Sequence, residues 1–285
     1  MGISLLLLFF QFKMDDLCTR MKSLFDDDCI ESEANKQLKP LNFKCILIQD
    51  EDSLDAMTEK IFSETAKGKS VNVDFEGVDL CRHGKICLGQ FHISESDLVY
   101  VVDFIAFDPF EAADGKLKEI LESEDILKIF YDPRNDADAL ANLHNVHMNN
   151  ALCLQVCEVA YRKFNLKLRA NFVMGLQKAM DEYVEGLGFL GKQTMLQIKK
   201  KGKRLFAPEF GGSYEVFVER PLAKELLAYS AVDVFFMDNL KKTLHDSLPS
   251  RIRDLVKKVS EQRLVEHKKE GYSPYGRERA RSPKF

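Results

Sequence analysis

The sequence predicts an α/β fold in which a mixed β-sheet is flanked by α-helices. Three runs rich in β-branched and aromatic residues follow one another closely, at 71–76, 85–93 and 98–104, with turn-forming residues between them. Segments of helical and strand character then alternate along the chain, which is typical of such a layered sheet. The composition, 45% hydrophobic and 30% charged, is that of an ordinary globular protein.

The remaining elements are predicted from periodicity and from helix end signals. An apolar run at 43–49 predicts the first strand. Leu54, Met57 and Ile61 then recur at helical spacing, and Gly68 ends that helix. The other predicted elements are a strand at 126–132, short helices at 116–122, at 135–145 with Asn135 as N-cap and at 153–163, and a last helix that opens at Pro221. The stretch 165–215 has no clear assignment.

These elements place one ordered domain at residues 41–248, between two segments of different character. Residues 1–40 are predicted to be a weakly structured extension. Their apolar run in "MGISLLLLFFQFK" is too short to span a bilayer, and an upstream start before Met14 would account for it. A signal anchor is the alternative. Residues 249–285 are predicted to be a disordered basic tail, because 251–285 hold eleven Lys or Arg against five Asp or Glu.

Charge and cysteine content limit the function classes. The formal net charge of −4 gives no global basic signature, so that any binding of nucleic acid must be local or carried by metal ions. The seven cysteines form no CxxC pair, which argues against a zinc site and predicts free thiols in a reducing compartment. We therefore expect an intracellular protein, cytoplasmic or nuclear, with no membrane association.

The run "VNVDFEG" places two acids inside an apolar strand. Side chains alternate along a strand, so Asp74 and Glu76 share one face and lie roughly 7 Å apart, opposite Val73 and Phe75. An edge strand with a solvated face would explain this pair equally well. Two further acids favour a functional site over a solvated strand.

The two further acids occur on predicted helices. Asp136 shares the helical stripe of Leu140, whereas Asp138 faces elsewhere. Asp233 lies in the middle of the last helix on a core-facing stripe, four residues after Tyr229, where an unpaired charge would be costly. The alternatives are that Asp136 only stabilises the N-terminus of its helix through the helix dipole and that Asp233 is a salt-bridged core residue.

Four carboxylates from separate elements on one face are suited to hard divalent cations. Mg²⁺ and Mn²⁺ prefer such oxygen ligands. A pair of these ions can activate water and stabilise a leaving oxygen in phosphodiester cleavage. The sequence therefore predicts a site for two Mg²⁺ or Mn²⁺ ions held by Asp74, Glu76, Asp136 and Asp233.

Three segments in this order, "VDFEG", "KIFYDPRNDADAL" and "YSAVD", resemble the three exonuclease motifs of the DEDD superfamily. The Tyr-x-x-x-Asp form of the third motif is that of the DEDDy branch, which includes RNase D. The segments "DFEGVDLCRHGKICLGQ" and "DPRNDADAL" resemble the Egalitarian-like, exonuclease 3′–5′ domain-containing group. The resemblance covers about 43–246 and implies a ribonuclease H-like fold and two-metal 3′–5′ exonucleolysis.

The resemblance also implies roles for five residues. Asp74 would bridge both metals, and Glu76 and Asp233 would complete the site of the metal that activates water. Asp136 would help to hold the second metal, largely through water. Tyr229 would orient the attacking water and help to deprotonate it.

Two departures from the family pattern accompany these matches. Tyr131 stands where the family often has His, and Cys153, Leu154 and Gln155 stand where it usually has Asp-Thr-Gln. Neither change touches the implied metal ligands. Some relatives are adaptors without catalysis, so the fold alone does not establish activity.

The leading hypothesis is a metal-dependent 3′–5′ exonuclease acting on single-stranded nucleic acid, with RNA favoured over DNA. The alternatives are an inactive exonuclease-fold adaptor in an RNA–protein assembly and a hydrolase of dinucleotides or short oligonucleotides. The basic run "KKKGKR" at 199–204 would contact phosphates or form a solvated surface. The basic tail would add affinity through counterion release or serve solubility.

Overall fold

Six strands form one mixed sheet in the computed structural model, which describes residues 30–285. The strands are β1 (Lys44–Ile48), β2 (Val71–Val78), β3 (Lys85–Ile93), β4 (Leu98–Asp103), β5 (Lys128–Phe130) and β6 (Ala151–Cys153). Their order is β1-β4-β3-β2-β5-β6. The β1/β4, β2/β5 and β5/β6 pairs are parallel, and β2/β3 and β3/β4 are antiparallel. The predicted mixed α/β fold is confirmed, and β2 lies inside the sheet.

Ten α-helices of the described chain cover both faces of this sheet. They are α1 (Ile30–Leu38), α2 (Glu51–Thr65), α3 (Lys116–Glu122), α4 (Arg134–His144), α5 (Leu154–Ala160), α6 (Leu176–Tyr183), α7 (Gly188–Phe206), α8 (Lys224–Phe235), α9 (Met237–Leu244) and α10 (Ser250–Leu264). The buried side chains of α2, α3 and α4 form one core, and those of α1 and α5 to α9 form the other. Helix α10 packs along β6 and α5.

Several predicted boundaries differ from the structure. Strand β6, only three residues long, is too short to show alternation in the sequence. Helix α4 begins at Arg134 with Pro133 as its N-cap residue, so that Asn135 is not the cap. The helix expected from Pro221 begins at Lys224 and is interrupted at Phe236. The unassigned stretch 165–215 contains α6 and α7.

Helix α1 corrects part of the prediction for the N-terminal extension. Ala34 and Leu38 are fully buried in the core. The amide of Asn35 donates to the carbonyl of Cys45 (3.1 Å) and accepts from its N–H (2.8 Å). Because β1 is an edge strand, these bonds satisfy backbone groups that would otherwise be open to another chain. The expectation for residues 1–29 lies outside the described residues.

The predicted disorder of residues 249–285 is also corrected by the structure. Residues 250–264 form helix α10, in which Val256, Ser260 and Leu264 are buried. These positions recur at helical spacing, so α10 has a buried stripe despite its high charge. The count of lysines and arginines obscured that stripe.

Arg263 anchors α10 to the body of the protein. Its guanidinium is buried and donates to Gln155 Oε1 (2.7 Å), Asp132 Oδ1 (3.1 Å) and the Cys153 Sγ (3.2 Å). Arg134 also holds Asp132 through two bonds of 2.6 Å. Burial alone would raise the pKa of Asp132, but the two arginines hold it below its ordinary value.

Within residues 30–285, no helix has both the length and the apolar character that crossing a membrane requires.

We predict that Arg263→Met lowers the free energy of unfolding by about 3 kcal/mol, because it leaves buried polar groups without their charged partner. The melting temperature should fall by roughly 6–12 °C in thermal denaturation. Lys257→Met, on the exposed side of the same helix, is the matched control and should change stability by less than about 0.5 kcal/mol. Equal stability of the two variants would contradict the ordered packing of α10.

Candidate active site

Strand β2 presents Asp74 and Glu76 on the face of the sheet that α8 covers. Val71, Val73 and Phe75 point to the opposite core, as the alternation predicts. The strand is hydrogen-bonded to β3 along its length and to β5 at its start. The two carboxylates therefore stand on the most constrained part of the sheet.

A β-bulge follows Glu76. The register with β3 shifts between Glu76 and Gly77. A Cβ at Gly77 would lie 2.0 Å from the carbonyl oxygen of Lys85, so only glycine fits there. Such irregularities commonly adjoin active sites, where they set the direction of a side chain.

Helix α8 brings Asp233 to the two strand acids. One carboxylate oxygen from each of Asp74, Glu76 and Asp233 lies within 4.8 Å of the others. Asp233 is only 2% exposed. Tyr229 lies one helical turn earlier and also lines the cavity above these acids. The predicted shared face of Tyr229 and Asp233 is therefore present.

Asp136 approaches from the other side of the cavity. It lies in the first turn of α4 and is 5% exposed. It lines the same cavity, but it does not belong to the cluster of three oxygens. Asp138 is turned away and pairs with Arg82 (2.6 Å), which agrees with the helical spacing.

Lys199 is a site residue that the sequence reading missed. Its ammonium contacts both carboxylate oxygens of Asp233, one of them at 2.6 Å, and the side chain is 3% exposed. The run "KKKGKR" predicts a solvated surface or a phosphate contact. Lys200, Lys201 and Arg204 are exposed as this predicts, but Lys199 is buried. Met195, Gly202 and Phe206 are buried on the same helix. Their spacing is the signal that places Lys199 inside.

The ring of Tyr229 is held by α7. The Lys199 ammonium lies 3.2 Å from the ring centroid, and Phe206 contacts the ring edge to face at 5.1 Å. A Cβ at Gly202 would lie 2.5 Å from the Cβ of Tyr229, so glycine is required for this approach of α7 to α8. The tyrosine therefore has little freedom to rotate.

Burial and mutual repulsion raise the pKa values of the acids. Burial, followed by the charges of Asp136, Glu76 and Asp233, holds the pKa of Asp74 well above its ordinary value. Burial and the charge of Asp233 raise the pKa of Glu76 to about 8, although Lys199 opposes this. Burial and Asp132 raise that of Asp136 to about 8. An added cation would relieve this repulsion.

The acids line a cavity of about 770 Å³. Its other walls come from five parts of the chain: Leu80 after β2, Tyr131, Asp132 and Asn135 before and within α4, Gln155 in α5, residues 175–178 and Asp181 at and within α6, and Leu196, Lys203 and Phe206 in α7. A cavity of this volume is in the range of ligand-binding sites in proteins.

Tyr131, which departs from the family pattern, and Gln155, which keeps it, fix one wall of this cavity. The hydroxyl of Tyr131 donates to the carbonyl of Met174 (2.9 Å), and the Gln155 amide donates to the same carbonyl (3.2 Å). Gln155 in turn accepts from Arg263 of α10. These residues therefore tie the segment before α6 to the C-terminal helix.

Curated relatives match part of the chain. The piRNA biogenesis protein EXD1 of Mus musculus is 26% identical over 193 residues, covering 67% of this chain and 31% of that protein. EXD1 of Homo sapiens is 27% identical over 197 residues, covering 67% and 35%. The Egalitarian protein homolog of Caenorhabditis elegans is 32% identical over 102 residues, covering 35% and 18%. The chain spans about a third of the length of the EXD1 proteins.

Solved structures show the same fold. Trypanosoma brucei RNase D in complex with GMP aligns with a TM-score of 0.64 at 20% identity, covering 84% of this chain and 69% of that one. Its complex with RNA U12 aligns at 0.61 and 19%, covering 84% and 74%. Escherichia coli RNase D aligns at 0.53 and 16%, covering 77% and 51%.

A family model described as 3′–5′ exonuclease matches residues 45–249. The match covers most of the chain and contains every acid of the cavity. The resemblance to DEDDy-type, RNase D-like exonucleases is thereby confirmed, and the chain belongs to the 3′–5′ exonuclease family.

Proposed function

We propose that this chain is a metal-dependent 3′–5′ exonuclease that hydrolyses single-stranded RNA or DNA by a two-metal mechanism. The observation that carries the proposal is the convergence of Asp74, Glu76 and Asp233 within 4.8 Å. Asp136 and Tyr229 line the same cavity. Acids placed this close in a buried site are best explained by a cation that they share.

The donor set fits Mg²⁺ or Mn²⁺. Each residue of the cluster offers a hard carboxylate oxygen, and no histidine or cysteine belongs to this cluster. Two such ions, when bound, would supply the positive charge that activates water and stabilises the leaving oxygen. Asp74, whose pKa is raised by burial and then by the charges of Asp136, Glu76 and Asp233, is the candidate shared ligand. Glu76 and Asp233 would serve the ion beside Tyr229, and Asp136 would serve the other ion.

Tyr229 would act through its hydroxyl. Burial, and then the charges of Asp233 and Glu76, hold its pKa well above the usual range, so the phenol stays protonated in the metal-free protein. It would therefore position the attacking water as a hydrogen-bonding group. Water would add to the phosphorus of the last phosphodiester bond and lose a proton to solvent, while the bond to the 3′ oxygen breaks. That oxygen would take a proton from solvent and become the 3′ hydroxyl of the shortened strand, and the terminal nucleotide would leave as a 5′ monophosphate.

RNA is the favoured substrate. The relatives EXD1 are described as piRNA biogenesis proteins, and the related RNase D structure contains RNA U12. We further propose an intracellular location, cytoplasmic or nuclear, which agrees with the buried free thiols of Cys45, Cys81, Cys87, Cys153 and Cys157.

A second candidate is an inactive adaptor that binds nucleic acid with the same fold. The observation that favours it is Lys199, whose ammonium neutralises Asp233 without any metal. An internal cation of this kind would stabilise an exonuclease fold that has lost its ions. Dependence on divalent ions separates the two candidates.

We predict that wild-type protein shortens 5′-labelled single strands from the 3′ end in Mg²⁺ or Mn²⁺ but not in EDTA. Asp74→Asn should lower the rate by more than about 100-fold, since even the loss of a group behind a metal ligand costs 10- to 100-fold. Glu124→Gln, at an exposed acid, is the matched control. If wild-type protein binds the strands but does not shorten them with either ion, the adaptor proposal is correct and the exonuclease proposal is wrong.

We predict that Tyr229→Phe lowers the catalytic rate by roughly 100-fold, while metal and substrate affinity stay near wild type. The ring and its contacts with Lys199 and Phe206 remain, so the fold should be kept. Asp233→Asn should weaken metal binding as well. Single-turnover cleavage, together with calorimetric titration of Mn²⁺, checks both. A fall in Mn²⁺ affinity equal to that of Asp233→Asn would argue against the role assigned to the hydroxyl.

We predict that Lys199→Met increases the thermal stabilisation gained on adding Mn²⁺. The metal-free variant loses its buried cation and should be destabilised by about 3 kcal/mol, whereas bound metal would restore the lost charge. Lys200→Met, one residue further on the exposed side, is the control. Melting curves with EDTA and with Mn²⁺ give the comparison. A smaller gain than in wild type would show that the ammonium supports metal binding instead of competing with it.

A further inference from the structure

Two segments far apart in sequence form one ridge beside the cavity. The N–H of Val173 donates to the carbonyl of Ala280 (2.9 Å), and the N–H of Ser282 donates to the carbonyl of Asn171 (3.0 Å). The rings of Phe164 and Phe285 contact each other with centroids 5.7 Å apart. We call residues 163–173 and 277–285 together the basic ridge.

The basic ridge carries a dense positive charge that points to solvent. Six of its side chains are basic and exposed: Lys163, Lys167, Arg169, Arg277, Arg281 and Lys284. Glu278 is the one acid in the two segments. Arg134, Arg162 and Arg263 nearby are neutralised by carboxylates, but the six ridge cations have no carboxylate partner among residues 30–285. These six cations are therefore available to bind a polyanion.

Exposed apolar side chains are interleaved with these cations. Phe172 is 61% exposed and Leu168 is 55% exposed. Arg162 holds the backbone here by donating to the carbonyl of Phe172 (2.7 Å). An aromatic ring fixed among cations is the surface on which unpaired bases stack while their phosphates are neutralised.

The basic ridge leads directly to the cavity. Residues 175–178, which follow it in the chain, form a wall of the cavity. On the other segment, Arg279 donates to Asn135 Oδ1 (2.7 Å), and Asn135 adjoins Asp136 and lines the cavity. A strand whose 3′ end occupies the cavity could therefore continue onto the ridge without crossing another element.

We infer that the basic ridge binds the phosphates of a single-stranded nucleic acid upstream of the nucleotide held in the cavity. The inference rests on the proposed function for the polarity of the strand. Half of the ridge, residues 277–285, follows the segment 45–249 that the exonuclease family model matches. The ridge therefore extends the family's domain, and it favours strands long enough to reach beyond the cavity.

The test compares a triple variant of the ridge, Lys167→Gln, Arg169→Gln and Arg281→Gln, with a control variant, Lys39→Gln, Lys60→Gln and Lys85→Gln, of equal charge loss. Of the three control lysines, only Lys60 has a carboxylate partner within residues 30–285. The control removes the same charge from exposed positions outside the ridge, after α1, in α2 and at the start of β3. Binding to single strands of about 4 and about 20 nucleotides is measured in EDTA at several salt concentrations. Cleavage of both strands is measured in Mn²⁺.

We expect the ridge variant to bind the long strand at least about tenfold more weakly at low salt, with a salt slope smaller by about 2. Binding and cleavage of the short strand should match those of the control variant. Unchanged affinity of the ridge variant for the long strand would overturn the inference. Equal losses of affinity for the long and the short strand would overturn it as well. If polyglutamate bound to the ridge as tightly as the long strand does, the ligand of the ridge would be an acidic protein and not a nucleic acid.

The same experiment distinguishes this inference from the proposed function. If wild-type protein cleaves both strands but ridge and control variants behave alike, the ridge assignment fails and the exonuclease stands. If wild-type protein cleaves neither strand but its binding of the long strand depends on the ridge, the proposed exonuclease activity is wrong and the inference about the ridge is supported.

Discussion

The repulsion between three carboxylates held within 4.8 Å of one another is the constraint on which the centre of this structure depends. Burial makes each charge more costly, and each neighbouring charge adds to that cost. The protein meets the constraint with a rigid base and an internal cation. Strand β2 lies inside the sheet and cannot move the two acids apart, and Lys199 neutralises Asp233 directly.

The contact between α7 and α8 makes this arrangement geometrically possible. Gly202 allows the backbone of α7 to approach Tyr229, which a Cβ would prevent. That approach places the Lys199 ammonium against both the tyrosine ring and the carboxylate of Asp233. One glycine therefore couples the backbone packing of two helices to the electrostatics of the cavity and to the orientation of the phenol.

Five of the six strands, and the helices between residues 51 and 160, could be predicted because their signals are local. Asp74 and Glu76 follow from alternation along one strand, and Tyr229 and Asp233 follow from spacing along one helix. Lys199 could not be found from a basic run alone, since its burial depends on the approach of α7 to α8. Helix α10 was missed for a related reason: Arg263 counts as surface charge in the sequence, but three partners bury it in the fold.

The C-terminal segment lies outside the matched exonuclease family segment, yet it is joined to the same cavity. Arg263 binds Asp132 and Gln155, which line the cavity, and Arg279 binds Asn135. The charge of Arg279 also opposes the burial that raises the pKa of Asp136. One side of the site, with Asp233, is thus built by α7 and α8, whereas the side with Asp136 depends on residues from the end of the chain. Because Arg279 belongs to the basic ridge, a strand bound there would rest on the same segment that sets the electrostatic surroundings of Asp136.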